Sequence, residues 1–413
     1  MPPTIKPFKI SVPDSQLQQL NKKLDLATFP DELQGAGWDL GAPLADIKRL
    51  TEYWRDGFVW REQERQLNES MPEQFIAEGI EVDGFGKLDV HFVHRRSEVE
   101  GAIPLVFVHG WPGSFIEAKK LLPLLTKGAE DGSHPSFHVV APSLPNFGFS
   151  GGVGKKGFGL KQYAQTVHAL MTALGYDQYV SQGGDWGAMI SRLLGQLFPD
   201  HVKAIHINLV ATYPPWPWKH PILFFQALGG AIFGNDISKI MYSKKYGKEG
   251  SGYLIEQDSK PQTIGYALHD SPVALLSWVY EKLHDWTDEY PWTDDEILTW
   301  ISIYVFSTAG PAASVRIYHE STHPPTGGIT RNQSLFNYLP KVKIGLAYFP
   351  REIVTLPLSW GRTMGNVVRQ TEFESGGHFA AWEEPEALAG DLRGMFRKEK
   401  GEAYGVVQGS SGY

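Results

Sequence analysis

Gly183-Gly184-Asp185-Trp186-Gly187 places a carboxylate in a turn flanked by glycines. The spacing is glycine, any residue, nucleophile, any residue, glycine, with aspartate in the slot where serine hydrolases carry serine. A nucleophile in such a motif sits on a strained, sharp turn, and only small residues fit two positions before and after it. A helix that starts there aims the positive end of its dipole at the site and favours negative charge. A carboxylate, with a reference pKa of about 3.9, is ionised at neutral pH and attacks without the help of a base. Its chemistry would be the opening of a strained ether or the displacement of a halide at an sp³ carbon. The competing reading of Asp185 is a helix N-cap, a common place for aspartate after a strand.

Two further patterns bear on that choice. His109-Gly110-Trp111-Pro112-Gly113 follows an apolar run, where hydrolases of this build place an oxyanion-hole loop. The backbone N–H groups of Trp111 and Trp186 are then the candidate oxyanion donors. Downstream, Glu374-Ser375-Gly376-Gly377-His378-Phe379 puts a histidine in a glycine loop after the final strand of the pattern. That is the place of the base in the chain order nucleophile, acid, base. The alternative for His378 is a surface-loop histidine. His109 competes for the base role, but its seat beside a turn glycine points to a structural hydrogen bond. The acid that orients the base should follow a strand between the other two. Glu352, in Phe349-Pro350-Arg351-Glu352, is the nearest carboxylate after such a strand, and its other reading is a surface residue paired with Arg351. The strand at 203–210 offers Asn208 and no acid at its end.

The elements that must position these residues are legible as alternating runs. PLVFVH (104–109) and FHVVAP (137–142) are continuous apolar stretches, as in strands buried on both faces. A helix over 160–174 ends at Gly175, a C-terminal signal. DQYVSQ (177–182) is a strand, GAMISRLLGQLF (187–198) a helix and KAIHINLV (203–210) a strand. KIGLAYF (343–349) and VVRQTEF (367–373) resume the alternation before a last helix near 384–397. Strands alternating with helices predict a mostly parallel, helix-covered sheet. FIAEGIEV and LDVHFVH predict a hairpin around Asp83-Gly84-Phe85-Gly86. Residues 1 to 75 read as short helices whose apolar face (Trp54, Phe58, Val59, Trp60) should dock onto something. The stretch from 212 to 330 lacks the alternation and reads as helices, a cap inserted over the carboxyl edge of the sheet, where ligands bind in open α/β folds.

Composition bounds the function. The formal net charge of −8 argues against a nucleic-acid partner. The chain has no cysteine, which excludes disulfides, thiol catalysis and zinc–thiolate sites. No run of 18 uninterrupted apolar residues occurs, and the start, MPPTIKPFKI, lacks a secretory pattern. The expectation is a soluble, cytoplasmic protein without a membrane anchor. Its 13 Trp suit a deep apolar pocket, and Trp216, Trp218, Phe224, Phe225 and Trp278 are candidates to line it.

HGWPGSF (109–115), PSLPNFGFS (142–150), GGDWG (183–187), FPREI (349–353) and GGHFA (377–381) together resemble the microsomal-type epoxide hydrolases of the α/β-hydrolase superfamily, including their fungal, non-anchored members. The segment FVWREQERQLN (58–68) resembles that group's extra N-terminal domain, and the likeness runs over nearly the whole chain. The resemblance implies an α/β-hydrolase fold with an inserted helical cap and an N-terminal extension. The implied division is 1–93 for the extension with the leading hairpin, 94–211 for the first part of the core, 212–329 for the cap and 330–413 for the second part of the core. It also implies two cap tyrosines that bind and protonate the epoxide oxygen. By local motif these are Tyr253 in Ser251-Gly252-Tyr253 and Tyr318 in Ser314-Val315-Arg316-Ile317-Tyr318. For any one tyrosine of the cap, a place in the core is the default reading. A homodimer is a further implication.

The expected activity is conversion of a bulky apolar epoxide and water to a vicinal diol, through a hydroxyalkyl ester on Asp185 that His378 and Glu352 then hydrolyse. No metal or cofactor is required. The rival enzyme is a haloalkane or haloacid dehalogenase with the same nucleophile, and Trp186 does not separate the two. A third reading is a catalytically silent binding protein, which would be expected to lose members of the triad.

Overall fold

The computed structural model describes residues 2–129 and 131–413. Its centre is a nine-stranded sheet: β1 (Thr4–Pro7), β2 (Gln74–Val82), β3 (Gly86–Arg95), β4 (Ile103–Val108), β5 (Phe137–Pro142), β6 (Tyr179–Gly183), β7 (Val202–Ile207), β8 (Leu339–Tyr348) and β9 (Gly365–Glu372). The spatial order is β1-β2-β3-β5-β4-β6-β7-β8-β9. β1, β2, β3 and β5 pair antiparallel in turn. From β5 to β9 every pairing is parallel. All six residues of β4 and all five of β6 are buried, as expected of apolar strands covered by helices on both faces. This is the α/β-hydrolase fold. β1 was not among the expected strands. It is four exposed residues, TIKP, held at the sheet edge by pairing with β2. A short edge strand with a proline carries no period that composition would reveal.

The helix Asp185–Leu197 crosses behind the sheet and buries ten residues, Trp186 to Gly195. Between β7 and β8 lies an uninterrupted series of helices, from Pro221–Phe233 through Arg316–Thr322 to Arg331–Phe336. The N-terminal helices dock on this insertion. Trp60 packs on Phe306 with ring centroids 4.9 Å apart, Trp38 stacks on His284 at 3.5 Å, and the Tyr53 hydroxyl donates to Asp295 at 2.8 Å. Within the extension, Val12 N–H and Trp60 Nε1–H both donate to Glu64 Oε1, which ties strand-side loop to helix. Of the expected apolar face, Trp54 and Trp60 are buried and Trp60 meets the cap, whereas Val59 stands exposed.

One expectation fails in the cap. Trp216, Trp218 and Phe225 stand on the surface, 46%, 74% and 68% exposed. Trp216 and Trp218 stack on each other, and no residue of the helix Pro221–Phe233 is buried. That helix, PILFFQALGGAIF, is apolar on all sides, so its sequence carried no sign of which side, if any, faces a pocket. Trp278 is half-buried, and its indole N–H donates to Gln257 Oε1 at 2.9 Å. Among the described residues no helix is long and apolar enough to cross a membrane.

Candidate active site

Asp185 opens the helix after β6 with φ at 48°, in the left-handed region that a non-glycine residue enters only at a cost. The turn is tight against the neighbouring strand: a Cβ on Gly187 would lie 1.8 Å from the carbonyl oxygen of Val108. On the facing loop a Cβ on Gly110 would lie 2.3 Å from Asp185 Oδ1. Only glycine at these two positions lets the carboxylate sit against the loop backbone.

The gain from that closeness is a pair of hydrogen bonds. Trp111 N–H donates to Asp185 Oδ1 at 2.8 Å, and Trp186 N–H also serves the carboxylate. Both donors named from the motifs therefore meet at one oxygen-binding spot. The loop is clamped from the cap, where the Trp300 indole N–H donates to the carbonyl of Pro112 and the Tyr304 hydroxyl to that of Gly113. The Trp111-Pro112 peptide is cis.

His378 Nε2 faces Asp185 Oδ2 at 3.6 Å, and His378 Nδ1 lies 2.6 Å from Glu352 Oε1. Glu352 Oε1 also accepts the N–H of Ile353 at 2.7 Å, while Glu352 Oε2 is buried without a partner. The side chains of His378 and Glu352 are each 2% exposed, whereas that of Asp185 keeps 14%. Of the three, Asp185 is the least enclosed. The histidine is held by its backbone as well: its N–H donates to the carbonyl of Trp286 at 2.8 Å, and the Trp286 ring stands edge-on to the imidazole.

Electrostatics couple the three. Burial raises Asp185, while His378 and the N–H groups of Trp111 and Trp186 work against that rise. Burial lowers His378, but the charge and hydrogen bond of Glu352, with Asp185 and Glu117 behind it, outweigh this and carry it up to about 9. With Asp185 ionised, the histidine is therefore held as an imidazolium. His109 is different. Burial takes it down to about 4, its Nδ1 meets the carbonyl of Gly110 at 3.0 Å, and its Nε2 accepts the N–H of Leu144 at 3.1 Å. It is a neutral ring bridging two loops.

Tyr253 and Tyr318 come from the cap helices Gly252–Ser259 and Arg316–Thr322 and converge on the same spot. Tyr253 stacks on Trp111 at 5.5 Å, Tyr318 stands edge-on to Trp111 at 5.6 Å and to Trp186 at 4.8 Å, and the two phenol rings are 5.8 Å apart. Both side chains are buried, and the Tyr318 hydroxyl has no partner. Burial pushes both hydroxyls well above their usual range, with Asp185 adding to the effect and Tyr318 adding at Tyr253, so both stay protonated donors.

Sequence reasoning missed Trp286, whose role is a carbonyl and a ring edge, neither of which a motif records. It also missed Glu117. This carboxyl is buried behind the loop and accepts the N–H groups of Ser114, at 3.2 Å, and of Gly110. Ser114 and Glu117 form a capping box for the short helix Phe115–Lys119. The S-x-x-E spacing was the signal. Burial raises Glu117 to about 8, with His378 and the two N–H donors opposing and Asp185 reinforcing.

The chain is similar to known proteins over most of its length. The family model described as "Epoxide hydrolase N terminus" matches residues 5–118, and that of the alpha/beta hydrolase fold matches 103–227. Epoxide hydrolase 1 of Sus scrofa is 33% identical over 94% of this chain and 88% of its own length. The chain belongs to the epoxide hydrolase family. Among solved structures, that of the Aspergillus niger epoxide hydrolase matches with a TM-score of 0.78 at 34% identity, over 94% of this chain and 95% of the other. The juvenile hormone epoxide hydrolase from the silkworm Bombyx mori matches with a TM-score of 0.81 at 28% identity, over 94% and 93%. Both cover the N-terminal extension and the cap as well as the sheet, so the family assignment of this epoxide hydrolase rests on nearly the whole chain.

Proposed function

We propose that this enzyme converts a bulky apolar epoxide to a vicinal diol by way of an ester on Asp185. The observation that carries the reading is that two protonated phenols, Tyr253 and Tyr318, pack with their rings on Trp111, whose N–H holds the Asp185 carboxylate. An epoxide oxygen leaves poorly unless it is protonated as charge develops, and a phenol with a reference pKa of about 10 is a fitting donor to an alkoxide.

The steps balance within these residues. Asp185 Oδ2 attacks an epoxide carbon, the carbon–oxygen bond breaks, and a tyrosine gives its proton to the departing oxygen. Ester formation removes the charge of Asp185, one of the groups that hold the His378 proton. The imidazolium returns that proton to the phenolate, and His378 becomes a neutral base. It then takes a proton from water, whose oxygen attacks the ester carbonyl. The N–H groups of Trp111 and Trp186 hold the oxyanion, and Glu352 keeps the ring in its tautomer and supports the imidazolium that forms again. The oxyanion then collapses, and the bond from the Asp185 carbonyl carbon to the substrate oxygen breaks. The departing alkoxide takes the proton of the new Asp185 carboxylic acid, so that diol leaves and the ion pair of Asp185 and His378 is restored. The homodimer implied by the resemblance and the cytoplasmic location expected from the sequence pattern belong to the same proposal; sedimentation velocity and cell fractionation test them.

A second reading has one observation in its favour. Trp186 Nε1 is buried without a hydrogen-bond partner, and an indole N–H of that kind can grip a departing halide. Parallel assays of diol formation from styrene-type and aryl epoxides and of halide release from haloalkanes separate the two. A single turnover in ¹⁸O-water should leave the label in Asp185 and not in the diol. Label in the diol on the first turnover overturns the ester scheme, and halide release without diol formation overturns the epoxide.

A further inference from the structure

Lys282 is a buried cation that the steps above do not use. It lies on the helix Pro272–Asp285, and its side chain is 3% exposed. Its ammonium is 4.6 Å from the centroid of the Tyr253 ring and 5.8 Å from those of Trp278 and Trp286. On the outer side it pairs with the carboxylate of the half-buried Glu281. Desolvation disfavours a charged lysine, and a methionine would fill the same space without charge. The cation is held there by three ring faces, each of which presents negative potential, and by Glu281.

The ring nearest to it has an electrostatic difficulty. Tyr253 sits where burial, Tyr318 and Asp185 all oppose negative charge on the phenol oxygen. Yet proton donation to an epoxide oxygen builds that charge. A cation fixed against the face of the same ring meets the charge where it develops, and it needs no rearrangement at the moment of reaction.

We propose that Lys282 acts through Tyr253, its ammonium stabilising the phenolate that develops as the Tyr253 hydroxyl protonates the epoxide oxygen. This rests on the epoxide reading of the site. Lys282 is a positioning residue in this scheme: it touches the tyrosine ring, not the substrate. It bears on ester formation only, because the phenol is neutral again when the ester is hydrolysed.

The test is a double-mutant cycle on the full-length enzyme: wild type, K282M, Y253F and K282M/Y253F, with K282R as the charge-preserving variant. Rapid-quench single turnovers with styrene oxide read ester formation and ester hydrolysis separately. K282M should slow ester formation about tenfold, the scale of a desolvated cation over a ring, and change ester hydrolysis by less than about twofold. K282R should recover most of the loss. In the Y253F background K282M should have no further effect. The proposal is overturned if K282M costs the same factor with and without the Tyr253 hydroxyl, or slows both steps alike. K282Q replaces K282M if the latter does not yield folded protein. A wild type that forms no ester from any epoxide overturns the parent reading, and this one with it. A wild type that turns over normally beside an equally fast K282M overturns this one alone.

Discussion

His378 sits 2.6 Å from Glu352 on one side of its ring and 3.6 Å from Asp185 on the other. The ring is hydrogen-bonded to the proposed orienting acid and stands off from the proposed nucleophile. That gap suits a base whose target is a water entering after Asp185 has been esterified.

The first prediction follows from that asymmetry. His378→Gln keeps the size of the ring's polar edge but cannot take a proton from water. It should form the Asp185 ester and then stall, with ester hydrolysis slowed by about 10²–10⁴, the usual worth of a general base. A burst of one equivalent and a trapped ester, found by mass spectrometry on the peptide around Asp185, are the expected signals. A variant that shows neither means that His378 is not the base.

The tyrosines predict the opposite partition. Tyr318→Phe removes a buried hydroxyl that has no other partner, so it should cost little stability while slowing ester formation by about 10²-fold. Tyr253→Phe should act in the same step. The double variant should lose ester formation almost entirely and fold normally by thermal melting. Equal slowing of both chemical steps would mark the phenols as packing residues.

Much of this was legible because the site hangs on strand ends. Asp185 follows β6, Glu352 follows β8 and His378 follows β9, and each of these strands overlaps a run expected from the sequence, although β8 begins earlier, at Leu339, and β9 at Gly365. The parallel order of the sheet then carries residues far apart in sequence to one edge. What was not legible depends on how the cap lies on that edge. Trp216, Trp218 and Phe225 looked like lining and stand on the surface, while Trp286, from the same helical stretch, packs on His378. All are aromatic residues of the stretch between β7 and β8, and only tertiary packing separates them. Lys282 shows the same limit, because a lysine on a helix reads as solvated until three rings are found around its ammonium. β1 was hidden for a simpler reason: four residues with a proline hold no pattern, and their pairing partner lies some seventy residues on.

Gly110 yields a third prediction. A methyl group there would press on Asp185 Oδ1 at 2.3 Å, so Gly110→Ala must push the carboxylate and the Trp111 N–H apart. The oxyanion site loses one donor, and kcat should fall by about 10²–10³. Gly229→Ala, in the exposed helix where an added Cβ meets nothing, is the control and should leave kcat unchanged. Comparable kcat values for the two variants would mean that the loop gives way more easily than its clamps on Trp300 and Tyr304 imply.

The pH dependence of stability separates Glu117 from His378. Both have folded pKa values raised above the usual ones, from 4.5 to about 8 for Glu117 and from 6.5 to about 9 for His378. A raised folded pKa means that the native state binds the proton more tightly than the unfolded chain does. The stabilisation is then complete below the unfolded value and is lost as pH climbs through the folded one. Glu117 should therefore draw stability down between about pH 4.5 and 8, and His378 between about 6.5 and 9. The two slopes add, so the melting temperature of the wild type should fall across the neutral range and into the alkaline. Glu117→Gln keeps the acceptor for the N–H groups of Ser114 and Gly110 but cannot ionise. Its melting temperature should change less than that of the wild type from about pH 5 to 8, and should show the remaining His378 slope, which ends below the wild-type limit because the Glu117 charge no longer helps to raise His378. His378→Gln should show the reverse, a Glu117 slope that runs beyond the wild-type limit because the His378 charge no longer holds Glu117 down. Melting curves taken by circular dichroism at half-unit steps of pH decide it. If Glu117→Gln runs parallel to the wild type across the whole range, the buried carboxyl carries no proton in the folded enzyme, and its place behind the oxyanion loop must be that of an ionised partner to His378.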